Sequence, residues 1–162
     1  MEQTLVILKP SALARNLAGE VLSRFERKGL IIAGLKMIML SETTLKEHYS
    51  HLIEKPFFKL IQNSMMASPV IVVCLQGKDA IQVVRAMTGA TNSRNAAPGT
   101  IRGDFSMSGQ ENIIHASDSV ESAKIEVKRF FQDNEIFSYT PANINFLYAS
   151  DERYEQNLIN EL

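Results

Sequence analysis

Four short apolar runs, set apart by segments of helical period, constrain this chain most. Thr4–Leu8, Leu30–Leu40, Val70–Leu75 and Asn112–His115 are rich in β-branched and aliphatic residues, and each reads as a strand. Leu17, Val21, Leu22 and Phe25 recur at helical spacing, with Gly29 as the expected C-cap. Ser41–Tyr49 and Phe57–Met66 read as two consecutive helices, Ser41 capping the first. Asp79–Thr88 reads as a helix ending at Gly89. Asp118 and Glu121 have the spacing of a capping box, before a helix whose apolar stripe is Val120, Ala123, Val127, Phe130 and Phe131. Glu126 falls at the edge of that stripe. The tail from Asn134 reads as short strand-like pieces with a polar end.

The order β-α-β-(α-α)-β-α-β predicts an α+β fold of the ferredoxin-like, split βαβ kind. It would hold a four-stranded antiparallel sheet with helices packed on it, plus a helical hairpin and a long loop. That loop is Gly89–Gln110, polar and rich in Gly, Ser and Asn, and it carries Arg94 and Arg102. Structureless loops of more than about 12–15 residues inside a domain are commonly functional. At 162 residues the chain is expected to form one domain, 1–162, with a core over about 3–148 and a C-terminal extension over about 134–162.

Composition sets the function classes aside. Net charge is −1, so no dedicated nucleic-acid binding is expected, and any anionic ligand must meet a local cluster of Lys and Arg. Cys74, the one cysteine, lies in an apolar run and reads as a buried thiol; an intrachain disulfide is excluded. No apolar stretch approaches the roughly 20 residues that span a bilayer. The first residues lack a positively charged n-region, and their apolar run stops at Lys9, so a cytoplasmic location is expected.

The segment Asn112-Ile113-Ile114-His115-Ala116-Ser117-Asp118-Ser119 resembles the active-site signature of nucleoside diphosphate kinases, N-x-x-H-[GA]-S-D. Lys9-Pro10, Glu47-His48-Tyr49, Pro56-Phe57-Phe58 and Pro98–Phe105 are similar to further elements of that family, in family order, over roughly residues 3–148. The resemblance implies a ping-pong enzyme that moves the γ-phosphoryl group from a nucleoside triphosphate to a nucleoside diphosphate. The carrier would be His115, attacking through Nδ1.

Glu126 would hold the other ring nitrogen, and Ser117 would bond that carboxylate or the departing phosphoryl oxygen. Tyr49 would donate to phosphate or to the ring. The same resemblance puts Lys9 and Arg102 near the γ-phosphate and Arg85 and Thr91 on the β-phosphate. Phe57 would stack on the base, Ile61 would line the cleft, and Asn112 with Lys9 would meet the ribose hydroxyls. Mg²⁺ would be the cofactor, held mainly by nucleotide phosphates, with no protein metal site. A homo-oligomer is implied, a hexamer in preference to a tetramer, with the tail packed on a neighbouring subunit.

Three positions depart from the family pattern: Ser11 after Pro10, Ser93 in the T-N-P stretch, and Ala116 where glycine is common. Ser11 is expected to cap a turn or helix instead. Two alternatives stand beside the kinase. A non-catalytic relative of the same fold should have lost His115, Lys9 or an arginine. An RNA-binding ferredoxin-like module would need a basic face and exposed strand aromatics.

Overall fold

The computed structural model describes residues 1–157. Four strands, β1 (Glu2–Leu8), β2 (Ile31–Ile38), β3 (Val70–Gly77) and β4 (Ile114–Ala116), form one antiparallel sheet in the order β2-β3-β1-β4. This is the α+β, ferredoxin-like arrangement expected from the element order. β1 sits inside the sheet and is buried on both faces. Val6 and Leu8 point into one core, with Val73 and Leu75 of β3. Leu5 and Ile7 point into a second, with Val72 and Cys74.

The first core is closed by α2 (Ala18–Lys28), which inserts Val21 and Phe25, and by α5 (Ala80–Thr88), which inserts Ala80 and Val84. α2 ends at Gly29, whose φ of +97° is the left-handed C-cap that only glycine adopts freely. The second core is closed by the hairpin of α3 (Glu42–His48) and α4 (Phe58–Met65), and by α7 (Val120–Phe130). The Ser41 hydroxyl caps α3 by accepting from the Thr44 N–H at 3.0 Å.

Several local expectations are corrected. Pro10 does more than end β1: it occupies the first turn of a short helix, α1 (Pro10–Ala14), where its missing N–H costs nothing. Ser11 does not cap that helix; its hydroxyl is buried without a hydrogen-bond partner, and the N-cap position belongs to Lys9. α7 is capped one residue later than expected. Ser119, not Asp118, accepts from the Ser122 N–H, so the Asp118–Glu121 capping box is absent. Starting there turns Val120 outward, 41% exposed, while Ala123, Val127, Phe130 and Phe131 are buried as expected.

The extension contains no strand among the described residues. After a 3-10 turn at Asp133–Glu135 come α8 (Ile144–Leu147) and α9 (Ser150–Asn157). Strand-like composition there meets no free ladder: Phe137 donates to the Ala33 carbonyl, and Leu147 packs over Gly29. Residues 158–162 of the expected extension lie outside the described residues.

The Gly89–Gln110 segment is not structureless. It holds a 3-10 turn (Ser93–Asn95) and α6 (Ile101–Phe105), capped by Thr100, which accepts from the Gly103 N–H. Asp104 closes it, accepting from the Gly99 N–H at 2.8 Å and pairing with Arg24 of α2 at 2.6 Å. Ser93 sits inside this segment, buried. Gly103 is packed so closely that an added Cβ would lie 2.0 Å from the Ala97 carbonyl oxygen. Gly103→Ala is therefore expected to lower stability by about 1–3 kcal/mol, as overpacking of a rigid site does. Urea denaturation monitored by circular dichroism measures it, and an unchanged midpoint would refute the packing argument.

Candidate active site

β4 carries the centre of the site. His115 pairs with Ile7 of β1, and Ala116, buried, pairs with Val6. The approach to β4 is bent. Ile113 is wholly buried at φ +58°, left-handed backbone that a β-branched residue adopts only under strain of about 1–3 kcal/mol. Its carbonyl accepts from the Lys9 N–H at 2.9 Å, which joins the end of β1 to the entry of β4.

The His115 ring is held from behind. Its Nε2 lies 3.0 Å from Glu126 Oε2, and the Ser117 hydroxyl donates to that same oxygen at 2.7 Å. Ser117 is fixed in turn by the Leu5 N–H at 3.2 Å. Of the two roles expected for Ser117, the structure displays the bond to the carboxylate. Burial pushes the Glu126 carboxyl up, but its hydrogen bonds to His115 and Ser117 outweigh this and hold it below the usual range. An ionised carboxylate accepts the Nε2 proton, which leaves the Nδ1 lone pair free.

His48 was not foreseen as part of the site, although it lies in the Glu47-His48-Tyr49 run. Its ring stands edge-on to His115 with centroids 4.5 Å apart, buried between Tyr49 and Phe130. Burial, then the neighbouring His115 and Arg129, push it down to about 3, so it is neutral. Its helical position beside a strand that comes 67 residues later gave no signal in the sequence. Tyr49 is buried too, with its ring 6.1 Å from His115, and burial raises its hydroxyl well above the ordinary range.

Lys9, Arg85, Thr91, Arg102, Phe57, Ile61 and Asn112 all line one cavity of about 800 Å³ with His115, Glu126 and Tyr49. The structure thus brings the expected residues together, Ser117 lying just behind them. Phe57 is 46% exposed at its rim, a place that core packing does not explain. Asn112 is buried and fully braced: Oδ1 accepts from Lys9 Nζ at 2.6 Å, and Nδ2 donates to the carbonyls of Thr91 and Gly109. Arg102, 4% exposed, donates to the carbonyls of Asn112, Gly89 and Ile114. Burial, then Arg85, lower it to about 10, so it remains charged.

His48, His115 and Glu126 each offer a ligand atom within 4.8 Å of the others. Two of those atoms are already bonded to each other, and Arg129 faces Nδ1 of His48 at 3.4 Å. Two imidazoles and one carboxylate are also a poor cage for a hard cation, which prefers oxygen.

An imidazole with one ring nitrogen held by a carboxylate, lining a cleft that also holds Lys9, Arg85 and Arg102, is suited to carrying a phosphoryl group. Fold and site together define a phosphotransferase of the histidine-carrier kind. The family model for nucleoside diphosphate kinase matches residues 2–136. A nucleoside diphosphate kinase of Parabacteroides distasonis is 62% identical over 152 residues, 94% of this chain and 99% of that protein. The structure of a halophilic nucleoside diphosphate kinase from Halobacterium salinarum in complex with CDP superposes with a TM-score of 0.89 at 35% identity, covering 91% of this chain and 99% of that one. The apo enzyme from Encephalitozoon cuniculi gives 0.87 at 38% identity, covering 91% and 100%. This chain belongs to the nucleoside diphosphate kinase family.

Lys9 gives a pH test. Burial, then Arg102, lower its ammonium to about 8, with Glu111 opposing. The charge is present below that value and is lost as pH rises through it. kcat/KM, which reports the free enzyme, is expected to fall above about pH 8. The profile of Lys9→Arg should extend further into alkali; an identical limb in both would remove Lys9 as its source.

Proposed function

We propose that this enzyme transfers the γ-phosphoryl group of a nucleoside triphosphate to a nucleoside diphosphate in two half-reactions through phospho-His115. The observation that carries this is the Ser117–Glu126–His115 chain, which engages Nε2 of a histidine that lines the cleft and leaves Nδ1 as the ring nitrogen for the phosphoryl group. In the first half-reaction Nδ1 forms the bond to the γ-phosphorus, and the bond to the β,γ-bridging oxygen breaks. Positive charge developing on the ring is met by Glu126, which keeps the Nε2 proton as a hydrogen bond. The second half-reaction runs the same path backwards with a different diphosphate.

Lys9 and Arg102 stabilise charge on the transferring oxygens, and Arg85 with Thr91 holds the β-phosphate. Asn112 meets the ribose through the remaining lone pair of Oδ1, since both of its N–H groups are committed. Phe57 supplies a stacking face, which every base can use, with Ile61 beside it. Mg²⁺ is the proposed cofactor; carried on the nucleotide phosphates, it would neutralise part of their charge.

Lys9, His115 and all the expected arginines are present, against the non-catalytic alternative. The chain is read as one domain acting in the cytoplasm; no described helix is long and apolar enough to cross a membrane. A homo-oligomer, hexameric by preference, is supported by Leu35, Met37 and Met39, which stand exposed along and just beyond the edge strand β2. Removing residues 150–162 tests the tail's part in it: light scattering should show a smaller assembly, and an unchanged mass would remove that part.

Incubation with γ-labelled ATP and Mg²⁺ tests the carrier. The expected result is an acid-labile, alkali-stable label, absent from His115→Ala and discharged by GDP. Glu126→Gln is expected to lower turnover about 10- to 100-fold by weakening the hold on the ring. No label on the native protein under turnover would end the phosphohistidine reading.

A further inference from the structure

α4 presents Phe57, just before its first turn, Ile61, Ser64 and Met65 along one face, and all four line the cavity. Opposite this face is the turn 106–112, which is rigid. The Ser106 hydroxyl donates to the Glu111 carbonyl at 2.8 Å, and the Ser108 hydroxyl accepts from the N–H groups of Gln110 and Glu111 at 3.1 and 3.0 Å. Lys9 grips the same turn on its inner side, donating to the Gln110 carbonyl at 3.1 Å and to Asn112 Oδ1 at 2.6 Å. On its outer side, the Ser64 hydroxyl donates to the Glu111 carboxylate at 2.5 Å.

We infer that Ser64 and Glu111 form a clasp across the outer end of the nucleotide cleft, setting the distance between the wall that carries Phe57 and Ile61 and the wall that carries Lys9 and Asn112. Without it, α4 is held by its packing on the core behind, through Phe58, Met65, Ile61 and Met66, and the outer end of the slot between the walls can widen. Hydrogen bonds to a charged acceptor are the stronger kind, so one such bond is enough to matter at a hinge-like edge. Glu111 also acts inward, since its carboxylate opposes the lowering of Lys9. Ser64 and Glu111 are positioning residues: they act through the aromatic wall and through Lys9. The inference rests on the proposed placement of the base against Phe57 and Ile61.

The test is a double-mutant cycle on the full-length enzyme with ADP as ligand. Ser64→Ala and Glu111→Ala are each expected to raise the ADP dissociation constant, measured by calorimetry, about three- to tenfold. Turnover of Ser64→Ala at saturating nucleotide should stay within about twofold, because the lost hydroxyl bond is made equally in ground and transition states, whereas the Glu111 variant also alters the surroundings of Lys9. The double variant should bind no worse than the Glu111 variant alone, because the bond that Ser64 makes is already absent there. Ser64→Thr, which keeps the hydroxyl, should bind as the native protein does. Single variants that bind normally, or whose losses multiply, would overturn the clasp. Phe57→Ala is measured alongside to separate the two readings. If it weakens ADP binding while the clasp variants do not, the clasp alone fails. If it has no effect, the placement of the base fails with it.

Discussion

The guanidinium of Arg102 is the constraint on which this site is built. It is nearly inaccessible to solvent and carries its charge with carbonyl oxygens for company, three of them, from Gly89, Asn112 and Ile114. A buried charge is tolerated only where fixed dipoles replace water. Those three carbonyls belong to the start of the long segment, the turn just after it and the first residue of β4. One side chain thereby closes a loop of more than twenty residues and fixes the entry to the strand that bears His115. The loop returns the support: Thr100 and Asp104 hold the short helix that aims Arg102 inward. Donors not used on carbonyls are left for the phosphate that Arg102 is proposed to meet, so its structural role and its proposed ligand-binding role would fall to one side chain.

Polarity in the cleft follows from that arrangement and not from the protein's overall charge. The net charge of −1 gives no long-range attraction for a polyphosphate. Lys9, Arg85 and Arg102 create a local one; burial first, and then a neighbouring arginine, pushes Lys9 and Arg102 below their ordinary values. Crowded cations wait for an anionic ligand to relieve them. On the far side of His115 the sign reverses at Glu126, so the imidazole lies on the boundary between a positive cleft and a negative support.

What the sequence made legible were the features with a period or a motif. Buried strands announced themselves as apolar runs, Gly29 and Ser41 as helix ends, and the signature around His115 as chemistry. What it hid were features decided by distant partners. Val120 has the right spacing for the stripe of α7, but the choice of Ser119 as the cap turns it to solvent. Ser11 is a competent cap, yet Pro10 already opens the helix one residue earlier. The tail has strand-like composition, but β2 is met there by single contacts and no ladder forms. His48 belongs to the site because a helix and a strand cross at that point, and no local pattern encodes a crossing. Asn112 was legible as a site residue but not as a brace, since its three partners, Gly109, Thr91 and Lys9, lie 3, 21 and 103 residues away.

The pairing of β1 with β4 has a further consequence, for the order in which the enzyme comes into being. The support of His115 runs through Ser117 to Leu5, across 112 residues of chain. Lys9 reaches Asn112 across a comparable span. Non-local contacts of this kind form only after the intervening loop entropy has been overcome. A nascent chain therefore holds no part of a working centre until α7 has emerged and the last strand has docked beside the first. Catalysis in this protein is a report that the sheet is complete, and a fragment ending before Glu126 lacks the geometry no matter how well its early elements fold.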